Sequence, residues 1–154
     1  MERRHVAVAR RQRETFLSAL ISDLMAECSD WTVSDHLKTE WSGHPRALWP
    51  EADIVIDTAN RRFIIEYDED SDPGRSLIKY WPVIEQAKVP LTIVQVWKRG
   101  STIGRGYAEL ARWIGARLKG MHPTFGYAFI ERNDETSRSM ARTLTQYIKS
   151  SLQL

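Results

Sequence analysis

Three short apolar runs limit what this chain can fold into: ADIVID at residues 52–57, RRFIIEYD at 61–68 and PLTIVQVWK at 90–98. Each is rich in strand-forming residues and bounded by turn signals, so each reads as a strand. Only the segment TAN and its neighbours separate the first two, which fits a hairpin. The third run is mostly apolar and is expected in the interior of a sheet. Before it, Ser71-Asp72-Pro73 reads as a helix start, with an acid or serine cap and a proline in the first turn. That helix is expected to run towards Ala87 and to be kinked or interrupted by Pro82, which lacks an N–H and clashes with the preceding turn.

The remaining elements follow from periodicity. Phe16, Leu17, Leu20, Ile21, Leu24 and Met25 recur at helical spacing and mark a first helix over residues 8–28. WTVSDHLKTEW holds a candidate short strand, and SGHPRALWP reads as loop. After the third apolar run come a basic glycine loop, KRGSTIGRG, and a helix marked by Tyr107, Leu110, Ala111, Ile114 and Leu118. FGYAFIER is a further strand, and Met140, Leu144, Tyr147 and Ile148 mark a C-terminal helix. This succession predicts one α/β domain over residues 1–154, with a mixed sheet and helices on both faces. A chain of 154 residues, 42% hydrophobic and 27% charged, is long and apolar enough to bury a proper core. No apolar run approaches the ~20 residues needed to span a bilayer. The single cysteine, Cys28, permits no internal disulfide and fits a reducing cytoplasm. Its position after an apolar helical face predicts a buried thiol.

Five acids crowd the end of the second run: Glu66, Asp68, Glu69, Asp70 and Asp72. Side chains alternate along a strand, so Asp53, Val55 and Asp57 share one face, and Ile64, Glu66 and Asp68 share another. A hairpin loop of two or four residues sets Ile56 opposite Phe63 and Asp53 opposite Glu66, with Cβ atoms ~5 Å apart on one face. A three-residue loop would separate them. Two opposed carboxylates need compensation from solvent, a raised pKa, basic neighbours or a cation. Mg²⁺ and Mn²⁺ prefer such oxygen ligands.

PEADIVID, the 13 positions from Asp53 to Glu66 in FIIEYDED, the helix that follows and the strand LTIVQVW together resemble the PD-(D/E)xK, or restriction-endonuclease-like, nuclease superfamily. The resemblance covers residues 8–98. It implies a core of helix, three strands, helix and strand, to which the C-terminal helix, strand and helix are additions. It implies a divalent-metal-dependent endonuclease that hydrolyses DNA phosphodiester bonds, with Mg²⁺ or Mn²⁺ as cofactor and DNA as partner. Asp53, Glu66 and Asp68 would be the metal ligands, with the Tyr67 carbonyl as a further one. The sequence departs from the family pattern at two points. The proline–acid pair is drawn out to Pro50-Glu51-Ala52-Asp53, which leaves Glu51 as an alternative to Asp53. The family lysine should stand two positions after Glu66, where Asp68 is found; Lys79, on the following helix, is the candidate replacement. Glu14 on the first helix is a candidate fourth acid. Many nucleases of this kind act as homodimers, although no seam is legible in this sequence.

Other charges have plainer readings. Glu69, Asp70 and Asp72 read as turn and cap acids, and Tyr80 and Trp81 as packing residues. Net charge is only +2, but Arg3, Arg4, Arg10, Arg11 and Arg13 crowd the N-terminus, where they could track a DNA backbone. Arg75, Lys98, Arg99 and Arg105 are candidate phosphate contacts; the last three flank glycines whose backbone N–H groups can approach an anion. His5, His36, His44 and His122 form no zinc spacing. Two other readings stand beside the nuclease. One is a catalytically inactive nuclease-like domain that binds nucleic acid or a protein partner, motivated by the displaced lysine. The other is an α/β interaction module whose acids only keep it soluble.

Overall fold

The computed structural model describes residues 2–68, 72–98, 105–133 and 136–153, with the side chains of residues 2–10 and of Arg105 left outside that description. Helix α1 (Glu2–Glu27) leads into strand β1 (Thr32–Lys38), then a short 3-10 turn at Arg46–Leu48, β2 (Glu51–Asp57) and β3 (Arg62–Asp68). Two short helices follow, α2 (Pro73–Ile78) and α3 (Trp81–Gln86), then β4 (Leu91–Lys98), α4 (Arg105–Met121), β5 (Phe125–Arg132) and α5 (Ser137–Leu152). The five strands form one open sheet in the order β1-β2-β3-β4-β5. β2 runs antiparallel to both its neighbours, whereas β3, β4 and β5 are parallel. The segment Thr32–Lys38, read from the sequence only as a candidate, is thus an edge strand.

Two apolar layers sandwich the sheet. On one face Leu17, Leu20 and Leu24 of α1 and Met140, Leu144 and Ile148 of α5 close over Ile54, Ile56, Phe63, Ile65, Val94 and Val96. On the other, Leu77, Tyr80, Ile84, Ile114 and Leu118 from α2, α3 and α4 close over Val55, Ile64, Leu91 and Ile93. β3 and β4 are covered on both faces, so they are buried nearly throughout, the polar Glu66, Asp68 and Gln95 included. Cys28 is a buried free thiol whose Sγ lies 3.8 Å from Thr145 Oγ1. No helix among the described residues is long and apolar enough to cross a membrane.

The helix marked by Tyr107, Leu110, Ala111, Ile114 and Leu118 is present as α4, but its inward stripe is Ala108, Ala111, Ile114 and Leu118, with Tyr107 and Leu110 exposed. Small alanines let α4 lie close to the sheet, and the larger residues fall on its outer side. Of the six tryptophans, Trp97 is buried and Trp113 is 62% exposed.

Candidate active site

The hairpin loop is residues 58–61, closed by the Thr58 N–H donating to the Arg61 carbonyl at 3.0 Å. Four residues set the register with Ile56 opposite Phe63 and Ile54 opposite Ile65. The next pair in that register would be Asp53 and Glu66, and there the ladder ends. The Tyr67 N–H donates instead to the Asp53 carboxylate, 2.9 Å from Oδ2. β2 and β3 therefore fork, with a side chain in place of the backbone acceptor. The other edge of β2 is disturbed at the same level. Pairing with β1 skips Asp53 and its partner His36, which has φ of 45°, a conformation costly for a residue with a Cβ.

Charged groups from both helical layers meet at the fork. From the α1 side, Arg13 Nη2 donates to Asp53 Oδ2 at 2.6 Å and to the Tyr67 carbonyl at 3.3 Å. From the α2 side, Lys79 Nζ donates to Glu66 Oε2 at 2.9 Å and to the Glu51 carbonyl at 2.9 Å. The Tyr80 hydroxyl donates to Glu66 Oε1 and stands 3.1 Å from the same Glu51 carbonyl. Lys79 and Tyr80 are consecutive, and in an unbroken helix they would diverge by about 100°. They stand at the junction of α2 and α3, Lys79 as the C-cap of one and Tyr80 as the N-cap of the other, and both reach one carboxylate.

The Glu66 side chain is 5% exposed, against 36% for Lys79. Burial pushes the Glu66 pKa up to about 7; the Lys79 ammonium opposes that rise, and the Asp53 charge adds to it. Burial and the neighbouring Glu66 charge raise the Tyr80 phenol far above its ordinary value, so it remains a hydrogen-bond donor at any working pH.

The other expected residues are placed as follows. Asp68 is 2% exposed. Its carboxylate accepts from Ser76 Oγ at 2.6 Å and from Gln95 Nε2 at 3.1 Å, which ties β3 to α2 and β4. Among the described residues no three His, Cys, Asp or Glu side chains gather into a group able to hold a metal ion. A buried carboxylate must be satisfied, and Ser76 and Gln95 donate to Asp68, whereas Asp53 and Glu66 draw their donors at the fork. Glu51 offers its carbonyl to the site, while its carboxylate lies 3.3 Å from His36 Nδ1 at the surface. Glu14 and Arg75 are exposed on α1 and α2. Lys98 ends β4 half-buried; Arg99, Glu69, Asp70 and the Arg105 side chain lie outside the described residues. Asp72 caps α2, accepting from the Gly74 N–H at 2.8 Å and the Arg75 N–H at 3.4 Å.

Three contributors escaped the sequence reading. Arg13 was grouped with a basic terminus, although it stands one turn before Leu17 and Leu20 on the inward stripe of α1. Tyr80 was read as packing, yet a phenol buried on the Leu77–Ile84 face needs a polar partner. Gln95 is the lone amide in an apolar interior strand, and a buried amide must be paired.

Asp53, Glu66 and the Tyr67 carbonyl present hard oxygens, the donor chemistry of Mg²⁺ and Mn²⁺. Mg²⁺ commonly takes only one or two protein carboxylates and keeps several waters, so the donor set fits without a third acid. A cationic group, Arg13 Nη2, already bridges two of these oxygens. No protein-family model, curated protein or solved structure matches this chain.

Proposed function

We propose that this chain is a divalent-metal-dependent endonuclease of the restriction-endonuclease-like kind, acting on DNA phosphodiester bonds. The observation that carries the reading is Lys79 Nζ, 2.9 Å from the buried Glu66 carboxylate at the end of the β2–β3 hairpin where Asp53 also lies. On this reading Lys79, the C-cap of α2, would stand in for the lysine missing from the strand position. The order helix, three strands, helical segment, strand agrees with the expected core.

Asp53, Glu66 and the Tyr67 carbonyl would hold the cation, which supplies Lewis acidity towards the phosphodiester. The protein's own groups do the rest. Lys79 has three N–H donors and spends two, on Glu66 and on the Glu51 carbonyl. The third is free for a phosphate oxygen or the attacking water, where its charge opposes the negative charge that builds on phosphorus oxygens. Tyr80 fixes Glu66 from the opposite side, so that the carboxylate cannot turn with Lys79.

The test is nicking of plasmid and oligonucleotide DNA with Mg²⁺ or Mn²⁺. Asp53→Ala, Glu66→Gln and Lys79→Ala are each expected to lower the rate by about 10²–10³-fold while the fold persists by circular dichroism. Unchanged cleavage by all three variants would refute the site. A second reading, a nuclease-like domain that binds DNA without cutting it, draws on Asp68 being committed to Ser76 and Gln95 rather than to the fork. It predicts DNA binding with no metal-dependent product.

A further inference from the structure

We propose that Arg13 is a built-in counter-ion that occupies the cation's seat in the metal-free protein and must leave it when metal binds. The inference rests on the metal reading of the site given above. One nitrogen, Nη2, reaches both Asp53 Oδ2, at 2.6 Å, and the Tyr67 carbonyl, at 3.3 Å. Those oxygens belong to two of the groups assigned to the cation, and the charge of a guanidinium held there repels a divalent ion and competes with it for the same carboxylate and carbonyl. Without the guanidinium, the fork would face Asp53 towards Glu66 with Lys79 as the one cation bonded there among the described residues.

Arg13 is also built to move. Its side chain is 31% exposed, whereas that of Asp53 is 14% exposed. The guanidinium carbon lies 5.9 Å from the centroid of the Tyr67 ring, which Phe16 and Arg132 also cover, so the open way out is towards solvent. α1 supplies the arginine from the layer opposite Lys79, so release leaves the Glu66–Lys79–Tyr80 arrangement in place. A released guanidinium sits next to the metal position, where its natural partner is a phosphate oxygen. Metal and phosphate therefore assist each other: phosphate stabilises the released arginine, and release opens the metal seat. By linkage the effect is reciprocal.

The experiment is calorimetry of Mn²⁺ binding to the whole chain without DNA, comparing wild type with Arg13→Gln and Arg13→Lys. Loss of the competing charge is expected to tighten Mn²⁺ binding about tenfold in Arg13→Gln. Arg13→Lys, which keeps a cation, should stay nearer to wild type. Wild type that binds Mn²⁺ while Arg13→Gln binds no tighter overturns the role of Arg13 and leaves the metal site standing. Absence of Mn²⁺ binding in wild type and variants alike overturns the metal reading and this inference with it. Should Arg13→Gln not fold, Mg²⁺ titration of the wild type by nuclear magnetic resonance decides. Displacement predicts that the Arg13 Nε resonance and the Tyr67 amide shift together. A moving Tyr67 amide with a stationary Arg13 Nε overturns it.

Discussion

Glu66 concentrates the electrostatics of the site in one carboxylate. Its pKa is raised from 4.5 to about 7 in the folded chain, first by burial. Between those values the folded state binds more proton than the unfolded state, so stability falls as pH rises. The penalty is absent below about pH 4.5 and complete above about pH 7, and amounts to roughly 3 kcal/mol. Glu66→Gln cannot ionise and escapes it. In chelator-treated protein, the variant's Tm relative to wild type is therefore expected to rise from pH 5 to pH 8, whatever the offset at pH 5. A difference that stays flat or falls over that range would mean that Glu66 is not a costly buried carboxylate.

At the scale of elements, α2 places Lys79 and Tyr80, and two local devices hold α2 and its surroundings in position. Asp72 caps its first turn and Pro73 starts it. Asp72→Ala should cost about 1 kcal/mol, a fall in Tm of about 2–4 °C in a domain of this size. The second device is a chain of polar contacts under α2 and α4: Tyr127 Oη donates to Gln95 Oε1 at 2.7 Å, and Gln95 Nε2 donates to Asp68 and to the Pro73 carbonyl. The Tyr127 ring reaches Gln95 only because Gly115 of α4 has no Cβ; one added there would overlap the ring. Alanine is the better helix former by about 1 kcal/mol, yet Gly115→Ala should destabilise by about 1–3 kcal/mol, measurable by urea denaturation. A stabilised variant would show that the ring yields without cost.

Over the whole molecule, the fork lies at one end of the sheet, with Lys79 and Arg13 arriving from opposite layers. The formal net charge is small, +2, so any DNA affinity must come from the local distribution of cations rather than from total charge. A contact surface that engages several phosphates predicts a DNA complex that weakens steeply with salt, with a negative slope of log K against log salt of about 0.9 per phosphate contacted. Fluorescence anisotropy with labelled duplex across a salt series measures it. Affinity that is absent at low salt would favour the interaction-module reading.

The strands, their mixed arrangement and the α2 cap were legible in the sequence because they rest on local chemistry. Alternation, β-branching, a short hairpin loop and an Asp-Pro cap act within a few residues of one another, although the loop's length, and with it the register, was fixed only by the structure. The hairpin register then placed Asp53 and Glu66 at neighbouring positions without knowledge of any other element. Which group satisfies each carboxylate was a tertiary decision. Asp53 meets an arginine 40 positions away, Asp68 an amide 27 positions away, and Glu66 a lysine and a phenol from the junction of two helices. A buried charge takes whichever donor the packed layers bring within hydrogen-bond reach. That reach is set by the stacking of α1 and α2 on opposite faces of the sheet, which no spacing along the chain encodes.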